Sequence, residues 1–247
     1  MKTVRSYNKL VNEIINLNIP FRIEIIGYVE YNKVIYPMIA IKHISKTAKK
    51  AIMITSGVHG NEYYAVHVLL KWMQQINVSF INDFNFYIYP IINPFGYAKN
   101  YRDNGARQDV NKSDNYCKNS KVQEASILFD NFPLTADMIL DIHGDIDKEQ
   151  VYCYEHKGEG LPSIAEKAML DNDIILPFIK TKTIYQIKIK NGVCEDREET
   201  GFEEVLEKLG TTYCVTLELP GKINSQKRTS GAIAIINSIL KNFNEIK

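Results

Sequence analysis

The stretch Ala51-Ile52-Met53-Ile54-Thr55-Ser56-Gly57-Val58-His59-Gly60-Asn61-Glu62 runs from an apolar segment into a polar turn flanked by glycines. The short apolar run ending at Gly57 predicts a buried strand. Residues 62–76 then place Val66, Leu69, Leu70, Met73 and Ile76 at helical spacing, so the strand passes almost directly into a helix. In open α/β sheets, ligands gather at the carboxyl ends of strands. A His and a Glu three residues apart in such a turn can point into one crevice, and imidazole and carboxylate are both good zinc ligands. Gly57 and Gly60 allow the backbone to bend sharply there. The same pair also reads as a loop His beside a Glu that stabilises a helix N-terminus.

Outward from this turn, strands and helices alternate, which predicts an α/β layered fold. Residues 21–29 and 34–44 are rich in Ile, Val, Phe and Tyr, and Tyr31-Asn32-Lys33 reads as the turn between them. They predict an antiparallel pair at the sheet edge. Phe84 to Ile92 predicts a strand stopped by Asn93-Pro94, followed by a long polar loop over roughly 95–119. Loops that long inside a compact domain are usually functional or disordered. Ser120 with Gln123 resembles a capping box for a helix over about 121–131. Ala136 to Ile142 predicts a buried strand closing at His143, Val151 to Tyr154 a further strand, and Leu161 to Leu170 a helix. Thr200 with Glu203 is a second capping-box pattern, opening a short helix closed by Gly210. Tyr213 to Leu219 predicts a strand, and Ile236, Ile239, Leu240 and Phe243 mark one face of a final helix.

At 247 residues, the chain suits one α/β domain, or at most two small ones. A formal net charge of +1 gives no field directed at nucleic acid or a membrane surface. Lys46, Lys49 and Lys50 form the densest basic cluster and read as a solvated loop. No apolar run reaches the length of a membrane span. No apolar segment of signal-peptide type follows Met1-Lys2-Thr3-Val4-Arg5-Ser6, so a cytoplasmic location is expected. Cys117, Cys153, Cys194 and Cys214 form no CxxC pair and read as thiols, with one disulfide still open.

A catalytic zinc usually takes three protein ligands and keeps a position for water. Of the five histidines, His67 falls in a helix pattern, His43 in an edge strand and His156 in a polar loop. His143 alone closes a buried strand, in Leu140-Asp141-Ile142-His143-Gly144-Asp145, although a capped loop His fits as well. A zinc hydrolase also needs a carboxylate to take the proton of the attacking water and pass it to the leaving amine. Glu218, in Thr216-Leu217-Glu218-Leu219-Pro220, is a charged residue at a buried strand end, where a salt-bridged structural Glu is the alternative. The polar loop offers Arg102 as an oxyanion stabiliser, Asn111 and Lys112 as holders of a substrate carboxylate, and Asp109 to orient a ligand His.

The ordered set His59/Glu62, Asn93-Pro94-Phe95-Gly96, Arg102-Asp103-Asn104, Asp109-Val110-Asn111-Lys112, His143 and Glu218 resembles the zinc metallocarboxypeptidase family. The likeness is to its short form, close to bacterial peptidoglycan-peptide amidases and to aspartoacylase/succinylglutamate desuccinylase-like deacylases. It spans roughly residues 25–222 and includes Ile26-Gly27-Tyr28-Val29-Glu30 with Val34-Ile35-Tyr36 as an opening hairpin. The resemblance implies a single-domain mixed β-sheet with helices on both faces, of the phosphorylase/hydrolase-like kind, over 1–247. It implies zinc held by His59, Glu62 and His143, Glu218 as general base, Arg102 as carbonyl polariser and Asp109 behind His59. It further implies that Asn111 and Lys112 grip a terminal carboxylate and that Tyr185 caps the substrate. By the same alignment Glu203 forms the floor of the side-chain pocket and favours a basic residue, although its capping-box position offers a purely structural role. The implied substrate is a small peptide or an N-acyl amino acid. Two positions depart from the family: Lys112 replaces the usual Arg with a point charge, and Gly144 stands where Ser or Asn is more frequent.

Overall fold

The computed structural model describes residues 4–133, 136–194 and 201–246, without the side chains of Val78, Ser79 and Glu203. Helix α1 (Tyr7–Ile15) precedes a hairpin of β1 (Arg22–Tyr31) and β2 (Val34–His43). Then come β3 (Lys50–Ser56), α2 (Tyr63–Gln75), the one-turn α3 (Val78–Ile81), β4 (Phe84–Tyr89), α4 (Pro94–Lys99), α5 (Gln123–Asn131) and β5 (Met138–Asp145). The remainder is β6 (Tyr152–Lys157), α6 (Ile164–Asn172), the short strands β7 (Thr183–Ile184), β8 (Ile187–Lys190) and β9 (Val193–Cys194), α7 (Glu203–Lys208), β10 (Tyr213–Pro220) and α8 (Ser225–Glu245).

These strands form one mixed sheet in the order β1-β2-β4-β3-β5-β10-β6-β9-β8-β7. The central β4, β3, β5 and β10 run parallel. The β1–β2 hairpin joins β4 antiparallel, and β6 joins β10 antiparallel. Side-chain alternation divides the core between the two faces. Ile52, Ile54, Leu140, Ile142, Val215 and Leu217 pack in one cluster with Trp72 of α2 and Ile236, Ile239 and Leu240 of α8. Met53, Ile139 and Cys214, one residue out of phase, pack in the other with Leu128 of α5 and Leu206 of α7. Central strands buried on both faces read as continuous apolar runs, which is why β3, β5 and β10 stood out in the sequence.

Several local readings need correction. The sequence reading does not include α1, although Leu10, Val11 and Ile14 bury one face and Ser6 caps its start by accepting from the Lys9 amide. The supposed loop over 95–119 begins as a helix: Asn93 is the N-cap, its Oδ1 accepting the Gly96 amide at 2.8 Å, and Pro94 follows at the first helical position. The Ser120/Gln123 capping box does not form. Ser120 Oγ accepts from the Val122 amide, while the Gln123 amide bonds both N–H and C=O of Glu30 and so ties α5 to β1. Helix α7 starts one residue after Phe202, which makes no side-chain cap, and Thr200 lies outside the described residues. His156 lies in β6 rather than a loop and pairs with Glu207 at 2.8 Å. Lys50 opens β3, and its ammonium donates to the Phe243 and Ile246 carbonyls at the end of α8.

Candidate metal centre and active site

The parallel strands β3, β5 and β10 bring their carboxyl ends together, and the turn after β3 carries His59 and Glu62 across them. That turn is fixed by backbone contact. A Cβ on Gly60 would lie 1.9 Å from the backbone of Gly96, so only glycine lets the His59–Glu62 turn rest on α4. The Arg102 carbonyl accepts from the Gly60 amide and from the Asn93 side chain, locking the Arg102 segment to both. The Asn-Pro-x-Gly motif is thus a platform for the turn.

His59, Glu62 and His143 are all buried, and one potential ligand atom from each lies within 4.8 Å of the others. The Nδ1 atoms of both imidazoles face the Glu62 carboxylate, at 2.8 Å from His59 and 3.2 Å from His143. Their Nε2 atoms face a second rank of carboxylates. His59 Nε2 lies 3.4 Å from Asp109 Oδ1, and His143 Nε2 lies 2.6 Å from Asp141 Oδ2. Asp141 is itself fully buried and accepts from the Thr55 hydroxyl on the neighbouring strand at 2.7 Å. Asp109 accepts the Asn111 amide at 3.0 Å, and its other oxygen lies 3.3 Å from Arg102 Nη2. Arg102 Nη1 lies 3.7 Å from Glu62.

Asp141 was missed in the sequence reading. The signal was its spacing: residues i and i+2 of a strand share a face, so an Asp two before a strand-end His is placed to hold its ring.

Two imidazoles among three buried or half-buried carboxylates make an electronegative centre. Burial alone would lower the His143 pKa, but Asp141 and Glu62 outweigh it and raise it well above the ordinary imidazole value. His59 is raised too, as Glu62 and Asp109 overcome the cost of burial. Glu62 is held below the usual carboxylate range: burial pushes it up, and the two histidines pull it further down. Asp109 is likewise held low, mainly by its contact with His59 against the cost of burial. A donor set of two Nδ1 atoms and one carboxylate, with Asp141 hydrogen-bonded behind His143 and Asp109 3.4 Å behind His59, fits a divalent metal ion such as zinc.

Around this centre lies an open cleft of about 660 Å³. Glu218 lines it from β10, in register with His143 on β5. Arg102, Asn111 and Lys112 line it from the polar segment, with Asn111 Oδ1 near the Phe202 amide at 3.4 Å. Tyr185 lines it as well; the residue is 59% exposed, with a backbone φ of 48° and a hydroxyl that donates to Asp145 at 2.6 Å. Asp145 also accepts from the Tyr152 hydroxyl at 3.0 Å. The Glu203 side chain lies outside the described residues, and so does the pocket-floor reading of it. Helix α7 begins at Glu203 with Phe202 at the N-cap position, so Glu203 does not hold the third helical position that a capping box with Thr200 needs. The remaining expected site residues converge on one cleft.

Gly144 has a structural reason. A Cβ there would fall 2.3–2.4 Å from the ring and hydroxyl of Tyr64, so the α2 tyrosine occupies the space of the family's usual Ser or Asn side chain.

Residues 48–160 match the model of the succinylglutamate desuccinylase/aspartoacylase catalytic domain family. That span takes in His59, Glu62, Arg102, Asp109 and His143 and stops before Glu218. No curated protein matches the chain. Among solved structures, a Shewanella amazonensis protein provisionally described as a metallopeptidase is 22% identical with a TM-score of 0.79, over 95% of this chain and 91% of its own. A metallo-carboxypeptidase from Burkholderia cenocepacia is 19% identical with a TM-score of 0.70, over 97% and 70%. Bovine thrombin-activatable fibrinolysis inhibitor is 17% identical with a TM-score of 0.68, over 97% of each chain. The chain therefore has the zinc carboxypeptidase fold. The match over residues 48–160 and the fold together support the zinc carboxypeptidase-like family, a family of hydrolases. No described helix is long and apolar enough to cross a membrane.

Proposed function

We propose that the protein is a zinc-dependent amide hydrolase of metallocarboxypeptidase type, cleaving next to a carboxylate-bearing residue of a small peptide. The convergence of His59, Glu62 and His143 at strand ends, with Glu218 in register beside His143, carries this reading. When bound by those three residues, zinc would supply a Lewis acid for the scissile carbonyl and lower the pKa of a water molecule toward neutrality. Glu218 then accepts the proton of the attacking water and delivers it to the leaving nitrogen. Arg102, on the cleft wall beside Glu62 and Asp109, stabilises the negative charge that builds on the carbonyl oxygen. Asp109 and Asp141 hold the two imidazoles with Nδ1 facing inward. Asn111 and Lys112 bind the substrate's carboxylate, and Tyr185 closes over it from the exposed rim. Lys112 binds as a point charge without the two-pronged grip of an arginine, which suits a carboxylate held in more than one orientation.

A second reading is deacylation of an N-acyl amino acid by the same residues. The match of residues 48–160 to a deacylase family model favours it. Both readings are tested by assaying Glu218→Gln on C-terminal dipeptides and on N-acyl amino acids. The variant should bind metal normally and lose about a hundredfold or more in turnover. Near-normal turnover would make Glu218 structural. The faster wild-type substrate class separates peptidase from deacylase.

A further inference from the structure

Glu124, in the first turn of α5, is a fully buried acid that the proposed chemistry does not use. Its Oε2 accepts from the Tyr31 hydroxyl at 2.8 Å and from the Asn104 side-chain amide at 3.0 Å. Its Oε1 is buried without a hydrogen-bond partner among the described residues, and no described Lys, Arg or His pairs with it. A buried acid without a cation is costly, and natural proteins break such local rules chiefly at functional sites.

Glu124 touches the turn between Arg102 and Asp109. Asn104 is buried and folds that turn back on itself. Its Oδ1 accepts the Ala106 and Gln108 amides, each at 3.0 Å, and its backbone amide donates to the Gln108 carbonyl at 3.0 Å. The Arg107 amide returns to the Asn104 carbonyl at 3.0 Å from a left-handed backbone with φ 61°. Gly105 rests against Tyr31, where a Cβ would come within 2.2 Å of the ring. Of the hydrogen bonds made by the Asn104 side chain, the one to Glu124 leads out of the turn. The two ends of the turn emerge side by side, with Arg102 Nη2 3.3 Å from Asp109 Oδ2, and Asp109 Oδ1 lies 3.4 Å from His59 Nε2. Burial, and then the charges of Asp141, Glu124 and Asp109, raise the Tyr116 pKa well above the usual phenol value, so Glu124 shares the interior behind the two histidines.

We propose that Glu124 is a positioning residue of the metal centre. Through Asn104 it holds the 102–109 turn in the shape that sets Asp109 behind His59. One carboxylate oxygen serves both Tyr31 of β1 and Asn104 of the turn, so α5 fixes the turn against the sheet edge. The inference rests on the proposed zinc site and not on the reaction proposed for it.

The test uses Asn104→Asp, which is nearly isosteric and keeps an acceptor for the Ala106 and Gln108 amides but meets Glu124 with oxygen in place of N–H. Zinc affinity is measured by chelator competition, with urea unfolding of the metal-free protein alongside. Asn104→Asp should weaken zinc binding by about 2–30-fold, the range for coupling carried through packed and hydrogen-bonded intermediaries. Adding Glu124→Gln returns an N–H to the pair and should restore most of the affinity. In an Asp109→Ala background Asn104→Asp should cause no further loss, because the route to His59 is already cut. Asn104→Ser keeps an oxygen for the turn without reaching Glu124, and carries the same expectations for the loss if Asn104→Asp does not fold. Unchanged zinc affinity in the folded variant overturns the proposal. An equal loss with and without Asp109 overturns it too, since it marks a general loosening of the fold, as does a loss in Asn104→Asp that Glu124→Gln does not reverse. A wild-type protein that hydrolyses neither peptides nor N-acyl amino acids, yet shows the Asp109-dependent loss of zinc affinity, keeps Glu124 in this role and removes the hydrolase reading.

Discussion

Gly144→Ala should destabilise the protein, and Tyr64 should decide by how much. The added methyl would sit 2.3 Å from Tyr64 Cε2 and 2.4 Å from its Cζ and hydroxyl oxygen. Real carbons do not approach so closely, so the ring must move. Tyr64 has little room, being 6% exposed with Arg228 stacked on it. Overpacking of this kind costs about 1–3 kcal/mol, which lowers Tm by roughly 2–12 °C in a protein of this size. In a Tyr64→Leu background the obstructing atoms are gone. The glycine backbone at 144 lies outside the left-handed region, so alanine fits it without strain. There the same change should be neutral or should stabilise by about 0.4–1 kcal/mol, because alanine restricts the unfolded chain. Thermal or urea unfolding of the four proteins gives the coupling directly. An equal cost of Gly144→Ala in both backgrounds would refute the idea that Tyr64 replaces the side chain missing at 144.

Asp141→Ala should weaken metal binding by about 10–100-fold, measured by competition with a chromophoric chelator, because His143 then loses the partner that aligns its ring; unchanged affinity would show that packing alone orients His143. Glu124 is buried and accepts from Tyr31 and Asn104, yet burial raises its pKa. A raised folded pKa means its ionisation opposes folding, so the stability difference in favour of Glu124→Gln should grow as pH rises from the ordinary glutamate range toward neutrality; a pH-independent difference in Tm would contradict this. Cys117 is exposed while Cys153, Cys194 and Cys214 are buried, with burial pushing Cys214 up to about 12. A thiol reagent on the native protein should therefore modify one cysteine rapidly, and Cys117→Ser should abolish that phase.

The parts of the fold buried on both faces were readable because their physics is local. Continuous apolar runs marked β3, β5 and β10, and 3.6-residue spacing marked α2 and α8. His59, Glu62, His143 and Glu218 were readable because polar residues at buried strand ends are expensive and thus conspicuous. What escaped depended on distant partners. Gln123 looks like a capping residue until the β1 backbone is beside it, and Asn93-Pro94 looks like a strand terminator until the six-residue helix behind it is seen. The roles of Gly60 and Gly96 follow from one backbone touching another, and that of Gly144 from a tyrosine 80 positions earlier in the chain.

Metal content tests the central claim most directly. The purified protein, analysed by plasma mass spectrometry after exhaustive dialysis, should carry about one zinc per chain, and His143→Ala should lose most of it while keeping its circular dichroism spectrum, because two protein ligands rarely retain zinc. A wild-type protein that takes up no stoichiometric divalent metal, or a folded His143→Ala variant that retains it at full occupancy, would contradict the account.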